Sequence, residues 1–140
     1  MKKQKKLNDR QNLFDGFVHI GPALFNAFQI GQKVSSVGFD WEKPEDAIEK
    51  VKEETIELGD AIRVGNRENI IEEMGDVLFA VANVARLLGI NPELALRKSN
   101  QKFMKRFSYV EKELKLQGKN PEDVSLGEMD LIWEKSKHVV

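Results

Sequence analysis

Two acidic segments of the chain carry pairs of carboxylates at a spacing that suits metal binding. The first pair is Glu54 and Glu57, and the second is Glu73 and Asp76, three residues apart in each case. On a helix, residues three apart are neighbours on one side. Two helices that point such pairs at each other would form a cage of oxygen ligands, which hard divalent cations prefer. The pattern therefore predicts a cation site built from carboxylates.

The available donors favour Mg²⁺ or Mn²⁺ over other metals. The chain contains no cysteine, which excludes thiolate sites and disulfides. Its two histidines, His19 and His138, lie far from both acidic pairs in the sequence, whereas a di-iron helical site would use Glu-x-x-His pairs. Carboxylates without histidine or cysteine suit Mg²⁺ or Mn²⁺ better than zinc.

Apolar residues at spacings of three and four predict five helices and no strands. We expect an all-α fold, a four- to five-helix bundle, with a single domain over residues 20–140 and a flexible basic tail over residues 1–19. The segment from Val77 to Ala82 is apolar on every side, so the third helix should be the most buried. The predicted helices run from about 22 to 37, 44 to 64, 67 to 88, 92 to 117 and from 125 onward.

Helix geometry ranks the acidic residues by direction. With about 100° per residue, Glu54 and Glu73 lie roughly 60–80° from the apolar stripes of their helices, on the flank of each buried side. Glu57 and Asp76 lie further round on the same side, at roughly 120–140°. The neighbouring acids, Glu53 and Glu72, point most directly to water. The margin between Glu57 and Glu53 is only about 40°, so direction favours Glu57 without deciding the choice.

The net charge is −1, but it is divided along the chain. Residues 40–76 contain 13 acidic and 5 basic side chains, whereas residues 97–119 contain 8 basic and 2 acidic ones. This division fits either two solvated faces or an acidic metal site opposite a basic phosphate clamp. The balance does not favour a nucleic-acid partner, and no apolar run is long enough for a membrane span. A soluble cytoplasmic protein is the expectation.

Basic and aromatic residues outside the acidic helices are candidates for substrate contacts. Lys102 and Arg106 share one face of the fourth predicted helix, and Trp133 and Lys137 are one turn apart on the last. Solvated lysines are the ordinary alternative for such a run. The loop aromatic residues Phe39 and Trp41 either plug the core or stack on a base.

Several motifs together resemble the catalytic half of MazG proteins, within the all-α nucleoside triphosphate pyrophosphohydrolases. The carboxylate signature is Glu54-x-x-Glu57, fifteen residues, then Glu73-x-x-Asp76. The likeness covers about residues 20–137. The accompanying motifs are Pro22-Ala23-Leu24, Val37-Gly38-Phe39-Asp40-Trp41, residues 72–80, Asn83-x-Ala85-Arg86 and Asn100-x-Lys102-Phe103-x-x-Arg106-Phe107.

The resemblance implies Mg²⁺-dependent hydrolysis of a nucleoside triphosphate to a nucleoside monophosphate and pyrophosphate. It implies that Glu54, Glu57, Glu73 and Asp76 bind the metal and form the catalytic centre. It also implies that the substrate is bound by Asn83, Lys102, Arg106, Trp133 and Lys137.

Two departures from the family pattern stand out. Typical relatives carry a second, N-terminal copy of the domain, and the printed sequence contains one. Many relatives have lysine four residues before the second acidic pair, where this chain has Asn69. The first departure concerns how copies of the domain assemble. The second concerns one contact between the protein and the substrate's phosphates.

Two alternatives to a broad-range enzyme remain open at this point. One is a narrower hydrolase for dUTP, dCTP or a damaged nucleotide. The other is a non-catalytic helical interaction module whose acids are surface charge. Because the third helix is so apolar, we expect a homodimer, with a tetramer as the larger alternative.

Overall fold

The structure is a computed structural model, and it describes residues 12–18 and 20–140. Over these residues it is helical, with no strand, so the predicted all-α class is confirmed. The predicted basic tail lies mostly outside the described residues; its described part, 12–18, forms a turn. The helices are α1 (Ala23–Ser35), α2 (Pro44–Val64), α3 (Arg67–Leu87), α4 (Pro92–Leu116) and α5 (Leu126–Val139), with a short 3₁₀ helix at Pro121–Asp123.

Capping residues that are recognisable in the sequence explain where the helices begin and end. Pro44 opens α2, where its missing N–H is not needed, and acidic residues follow in the first turn. Gly65 ends α2 with φ of 85°, in the left-handed region that glycine adopts without strain. The side chain of Asn66 then caps α3 by accepting from the Asn69 N–H at 3.1 Å. Ser125 caps α5 in the same way, accepting from the Glu128 N–H at 3.1 Å.

The described chain forms two compact units, which divide after Glu93. In the first unit α3 packs against both α1 and α2, and the Glu93 carboxylate accepts from the Phe25 N–H at the start of α1 (3.2 Å). The second unit has its own core of Val110, Leu114 and Ile132. The single domain expected over residues 20–140 stays a prediction.

The apolar segment of α3, residues 77–82, is only partly buried. Ala80 and Ala82 are buried, but Leu78, Phe79 and Val81 are 52%, 39% and 45% exposed. The prediction that the third helix is the most buried one is therefore not met: three of its residues are buried, as many as on α2. A helix that packs against α1 and α2 has a third side without a partner in its own unit. Leu78 and Val81 lie on this side, whereas Phe79 lines a cavity beside α1.

No single helix among the described residues is long and apolar enough to cross a membrane. Helices α3 and α4 meet the length and composition of a span only when they are counted together as a bent pair.

Candidate active site

Three carboxylates converge where α2 faces α3. One side-chain oxygen from each of Glu54, Glu57 and Glu73 lies within 4.8 Å of the other two. Glu54 is buried, Glu73 is half-buried and Glu57 is exposed, so the group opens from the helix interface to solvent. The two-residue connection at Gly65 and Asn66 turns the chain back and brings the two acidic segments together.

Two oxygens of this group are buried without a hydrogen-bond partner: Oε2 of Glu54 and Oε2 of Glu73. An unpartnered buried carboxylate oxygen is costly, because desolvation penalises its charge. A divalent cation would remove this cost by taking both oxygens as ligands. The all-oxygen donor set and the unpaired atoms therefore fit a hard cation such as Mg²⁺.

Lys50 supplies an internal counter-charge to the group. Its ammonium lies 3.1 Å from Oε1 of Glu54 and 3.4 Å from Oε2 of Glu53. The hydrogen bond to Glu54 raises the pKa of Lys50, so the ammonium stays charged. This contact was not predicted from the sequence, although the four-residue spacing from Lys50 to Glu54 on one helix was a usable signal.

The pKa of Glu57 reflects the repulsion between the carboxylates of this group. The nearby charge of Glu54 raises the pKa of Glu57, and Glu73 adds to the effect. Like charges this close disfavour simultaneous ionisation unless a cation compensates them.

The remaining acids of the two segments lie outside the three-carboxylate group. Asp76 is exposed one turn beyond Glu73 on α3. Glu53 is 59% exposed and contacts Lys50, and Glu72 is exposed. The structure thus brings together three of the four predicted ligands, and the metal-binding roles of all four remain predictions.

A second feature of the first unit is an ion pair that joins the loop after α1 to helix α3. The Arg86 guanidinium binds the Asp40 carboxylate through two hydrogen bonds of 2.9 and 2.6 Å. Ser35 also donates to Asp40, at 2.7 Å. The hydrogen bonds from Arg86 hold the pKa of Asp40 far below its usual range. Arg86 Nε donates to Asn83 Oδ1 at 3.1 Å, which extends the network to a predicted substrate residue.

The ion pair of Asp40 and Arg86 borders a cavity of about 340 Å³. Phe39, Trp41 and Phe79 line it together with Asn83 and Arg86. Phe39 is 77% exposed, so this aromatic residue does not serve as a core plug. The sequence predicted Asn83 but not its fixed partner, because Asp40, Arg86 and Asn83 meet only through tertiary packing.

The other predicted substrate residues belong to the second unit. Lys102 is exposed, and Arg106 is half-buried, with its Nε atom buried and without a hydrogen-bond partner. The Trp133 ring packs on Phe103 with centroids 4.8 Å apart. Lys137 is exposed and pairs with Glu134 at 2.9 Å. Their substrate contacts stay predictions.

Comparison with known proteins identifies relatives over most of the chain. Residues 42–111 match the family described as the MazG nucleotide pyrophosphohydrolase domain. Over 137 residues, which are 98% of this chain and 52% of the relative, the chain is 36% identical to the nucleoside triphosphate pyrophosphohydrolase/pyrophosphatase MazG of Thermotoga maritima. Over 118 residues it is 40% identical to a nucleoside triphosphate pyrophosphohydrolase of Escherichia coli, covering 83% of this chain and 45% of the relative. The chain spans about half the length of these curated relatives.

Proposed function

The chain belongs to the MazG nucleotide pyrophosphohydrolase family, and from this premise we propose that it hydrolyses nucleoside triphosphates to nucleoside monophosphate and pyrophosphate. The observation that carries the proposal is the convergence of Glu54, Glu57 and Glu73, with two buried oxygens left unpaired. Surface acids that only keep a protein soluble would be paired or hydrated instead. Such a cost within a helix interface is typical of a functional centre.

We propose Mg²⁺ as the cation, with Glu54, Glu57, Glu73 and Asp76 as the residues that hold it. When bound, such a cation neutralises charge on phosphate oxygens and makes a coordinated water more acidic. Buried Glu54 and half-buried Glu73 fix the deep side of the site, and exposed Glu57 and Asp76 form its solvent side. Lys50 balances part of the negative charge until the site is filled.

The proposed reaction is attack of water on the phosphoanhydride bond between the α and β phosphates. The water oxygen bonds to one phosphorus, and the bond from that phosphorus to the bridging oxygen breaks, with pyrophosphate as one product. A carboxylate of the group takes the proton of the attacking water as general base.

We assign the positive charges of the second unit to substrate binding. Arg106 supports this assignment because a buried guanidinium nitrogen without a partner is suited to a phosphate oxygen. Lys102 is four residues before it on α4 and shares its face. Trp133 and Lys137 are proposed to contact the same nucleotide, as the family resemblance implies.

We also propose that the chain acts as a homodimer in the cytoplasm, with a tetramer of two such dimers as the alternative. The unpartnered side of α3 supports this assembly: Leu78 and Val81 lie on it, and Ile71 is 60% exposed. Apolar residues grouped on one helix favour burial against another protein surface.

The test is pyrophosphate release from a panel of nucleoside triphosphates at equal concentration, with and without Mg²⁺. We expect Glu73→Gln to reduce the rate by about a hundredfold or more, because it removes a ligand charge. Glu72→Gln is the matched control, since Glu72 is the exposed neighbour outside the group. Release that does not depend on Mg²⁺, or full activity of Glu73→Gln, would contradict the assignment. No release from any nucleotide would favour the non-catalytic module.

A further inference from the structure

The ammonium of Lys50 binds the most deeply buried carboxylate of the three-carboxylate group. It lies 3.1 Å from Oε1 of Glu54, whose side chain is only 10% exposed. Its second contact, 3.4 Å to Oε2 of Glu53, is made with a well-exposed side chain. Because water and salt screen a buried ion pair less than a surface pair, the contact with Glu54 is the stronger of the two.

A divalent cation bound to Glu54 would lie close to this ammonium. With the ammonium 3.1 Å from Oε1 and a hard cation about 2.1 Å from either oxygen of the same carboxylate, the two positive charges would be no more than roughly 7 Å apart. That separation is within one Debye length at physiological ionic strength, and the burial of Glu54 limits screening further. The ammonium and the cation therefore oppose each other's binding to Glu54.

Lys50 can leave Glu54 without a change in the backbone of α2. Its side chain is 41% exposed, and an ammonium at the end of four methylene groups reaches water by rotation about its own bonds. Glu54, in contrast, is buried where α2 faces α3, and its Oε2 has no hydrogen-bond partner. When the two positive charges compete, the side chain that moves is therefore that of Lys50.

We propose that Lys50 competes with the divalent cation for Glu54, so that binding of the cation displaces the ammonium from this carboxylate. The inference rests on the cation site of the proposed function and adds a device that sets how tightly this site binds. The contact relieves repulsion among the carboxylates of the metal-free chain and so stabilises its fold. The same contact lowers the affinity for Mg²⁺, because its favourable energy is lost when the cation binds.

The test is Lys50→Met, which removes the ammonium but keeps an unbranched side chain that suits a helix. Mg²⁺ alone is titrated into the wild type and the variant by calorimetry, with no nucleotide present. We expect the Kd for Mg²⁺ to fall about tenfold in the variant. The Tm in EDTA should be lower than that of the wild type by about 4 °C, whereas at saturating Mg²⁺ the two proteins should melt at the same temperature.

Two further variants locate the effect at Glu54. Lys52→Met removes the same charge from α2, but Lys52 pairs with exposed Glu49 at 3.0 Å, so its Kd for Mg²⁺ should stay within about twofold of the wild type. In a Glu54→Gln background, Lys50→Met should no longer lower the Tm in EDTA, because the ion pair that it removes is already lost.

The outcomes separate this inference from the proposed function. A Kd for Mg²⁺ that is unchanged or higher in Lys50→Met would overturn the inference and leave the proposed cation site standing. An equal fall in Lys52→Met would also overturn it, because the net charge of α2 would then explain both. Lys50→Gln carries the same expectation if Lys50→Met is insoluble. A wild-type chain that shows neither heat of binding nor a Tm shift with Mg²⁺ would overturn the cation site together with the inference.

Discussion

Glu54 lies at the centre of the carboxylate group. It is buried, Lys50 binds one of its oxygens, and the other oxygen has no partner. The fold therefore tolerates a local electrostatic cost at this residue. A cation that binds only the folded state would relieve that cost and stabilise the protein.

We predict that millimolar Mg²⁺ raises the Tm of the wild-type chain by about 5 °C or more, which corresponds to roughly 1–2 kcal/mol. Glu54→Gln should lose most of this shift, because a neutral amide is a poor replacement for a carboxylate ligand. Differential scanning fluorimetry with and without Mg²⁺ measures both.

Glu53→Gln is the control for this experiment. Glu53 is adjacent, 59% exposed and also in contact with Lys50, but it does not belong to the group. Its Mg²⁺-dependent shift should match that of the wild type. A Glu54→Gln protein that Mg²⁺ still stabilises fully would contradict the ligand assignment.

A second residue-scale prediction concerns the ion pair of Asp40 and Arg86, whose side chains are 19% and 8% exposed. Asp40→Asn should lower the free energy of unfolding at pH 7 by roughly 3 kcal/mol, because it leaves a largely buried guanidinium without its counter-charge. Urea unfolding at a series of pH values measures this loss.

The pH dependence of that loss has a definite sign. The pKa of Asp40 is lowered in the folded state, so its contribution is complete above the unfolded value of about 4 and declines as the pH falls below it. The difference between wild type and Asp40→Asn should therefore shrink below about pH 4. Asp60→Asn, in the exposed pair with Arg63, should cost less than about 1 kcal/mol at any pH. A constant difference from pH 7 to pH 3 would argue against the ion pair as the cause.

At the scale of helices, local rules were sufficient to place the elements. The spacing of apolar residues and the cap residues Pro44, Gly65, Asn66 and Ser125 predicted the boundaries of α2 and α3 and the start of α5 to within about one residue. The same spacing put Glu54 and Glu73 on the flank of each buried side, where the structure has them. What the pattern did not predict is the crossing of α1 and α3, because Gly31 and Arg86 are 55 residues apart and no local signal joins them.

A substitution at Gly31 tests the close contact between α1 and α3. Gly31→Ala should destabilise the first unit by roughly 1–3 kcal/mol, since the added methyl group would push against Asn83 and Arg86. Chemical unfolding followed by circular dichroism is the measurement.

The matched control is Gly59→Ala, on α2, where the added Cβ would meet only the flexible end of Arg63 at 3.8 Å. There the higher helix propensity of alanine should stabilise the protein by up to about 1 kcal/mol. If both substitutions stabilise the protein to the same extent, the close approach of α1 to α3 is not as described.

At the scale of the whole molecule, the apolar surface of α3 is more than its own unit buries. Composition predicted an apolar helix, but it does not distinguish a helix buried in its own chain from one buried against another. We predict a homodimer at micromolar concentration by sedimentation equilibrium. Leu78→Glu should weaken it at least tenfold, because it would place a charge in an apolar interface.

Val64→Glu provides the control for the dimer. Val64 is 79% exposed at the end of α2, so a charge there should leave the association unchanged. A wild-type chain that sediments as a monomer throughout the micromolar range would contradict the proposed assembly without affecting the carboxylate site.

We propose above all that this chain cleaves a nucleoside triphosphate between its α and β phosphates at the carboxylate group. Phosphorus NMR of a reaction containing the wild-type protein, UTP and Mg²⁺ tests it most directly. We predict uridine monophosphate and pyrophosphate in equal amounts, and no products when EDTA removes the cation. Uridine diphosphate and phosphate as products, or turnover that continues in EDTA, would contradict it.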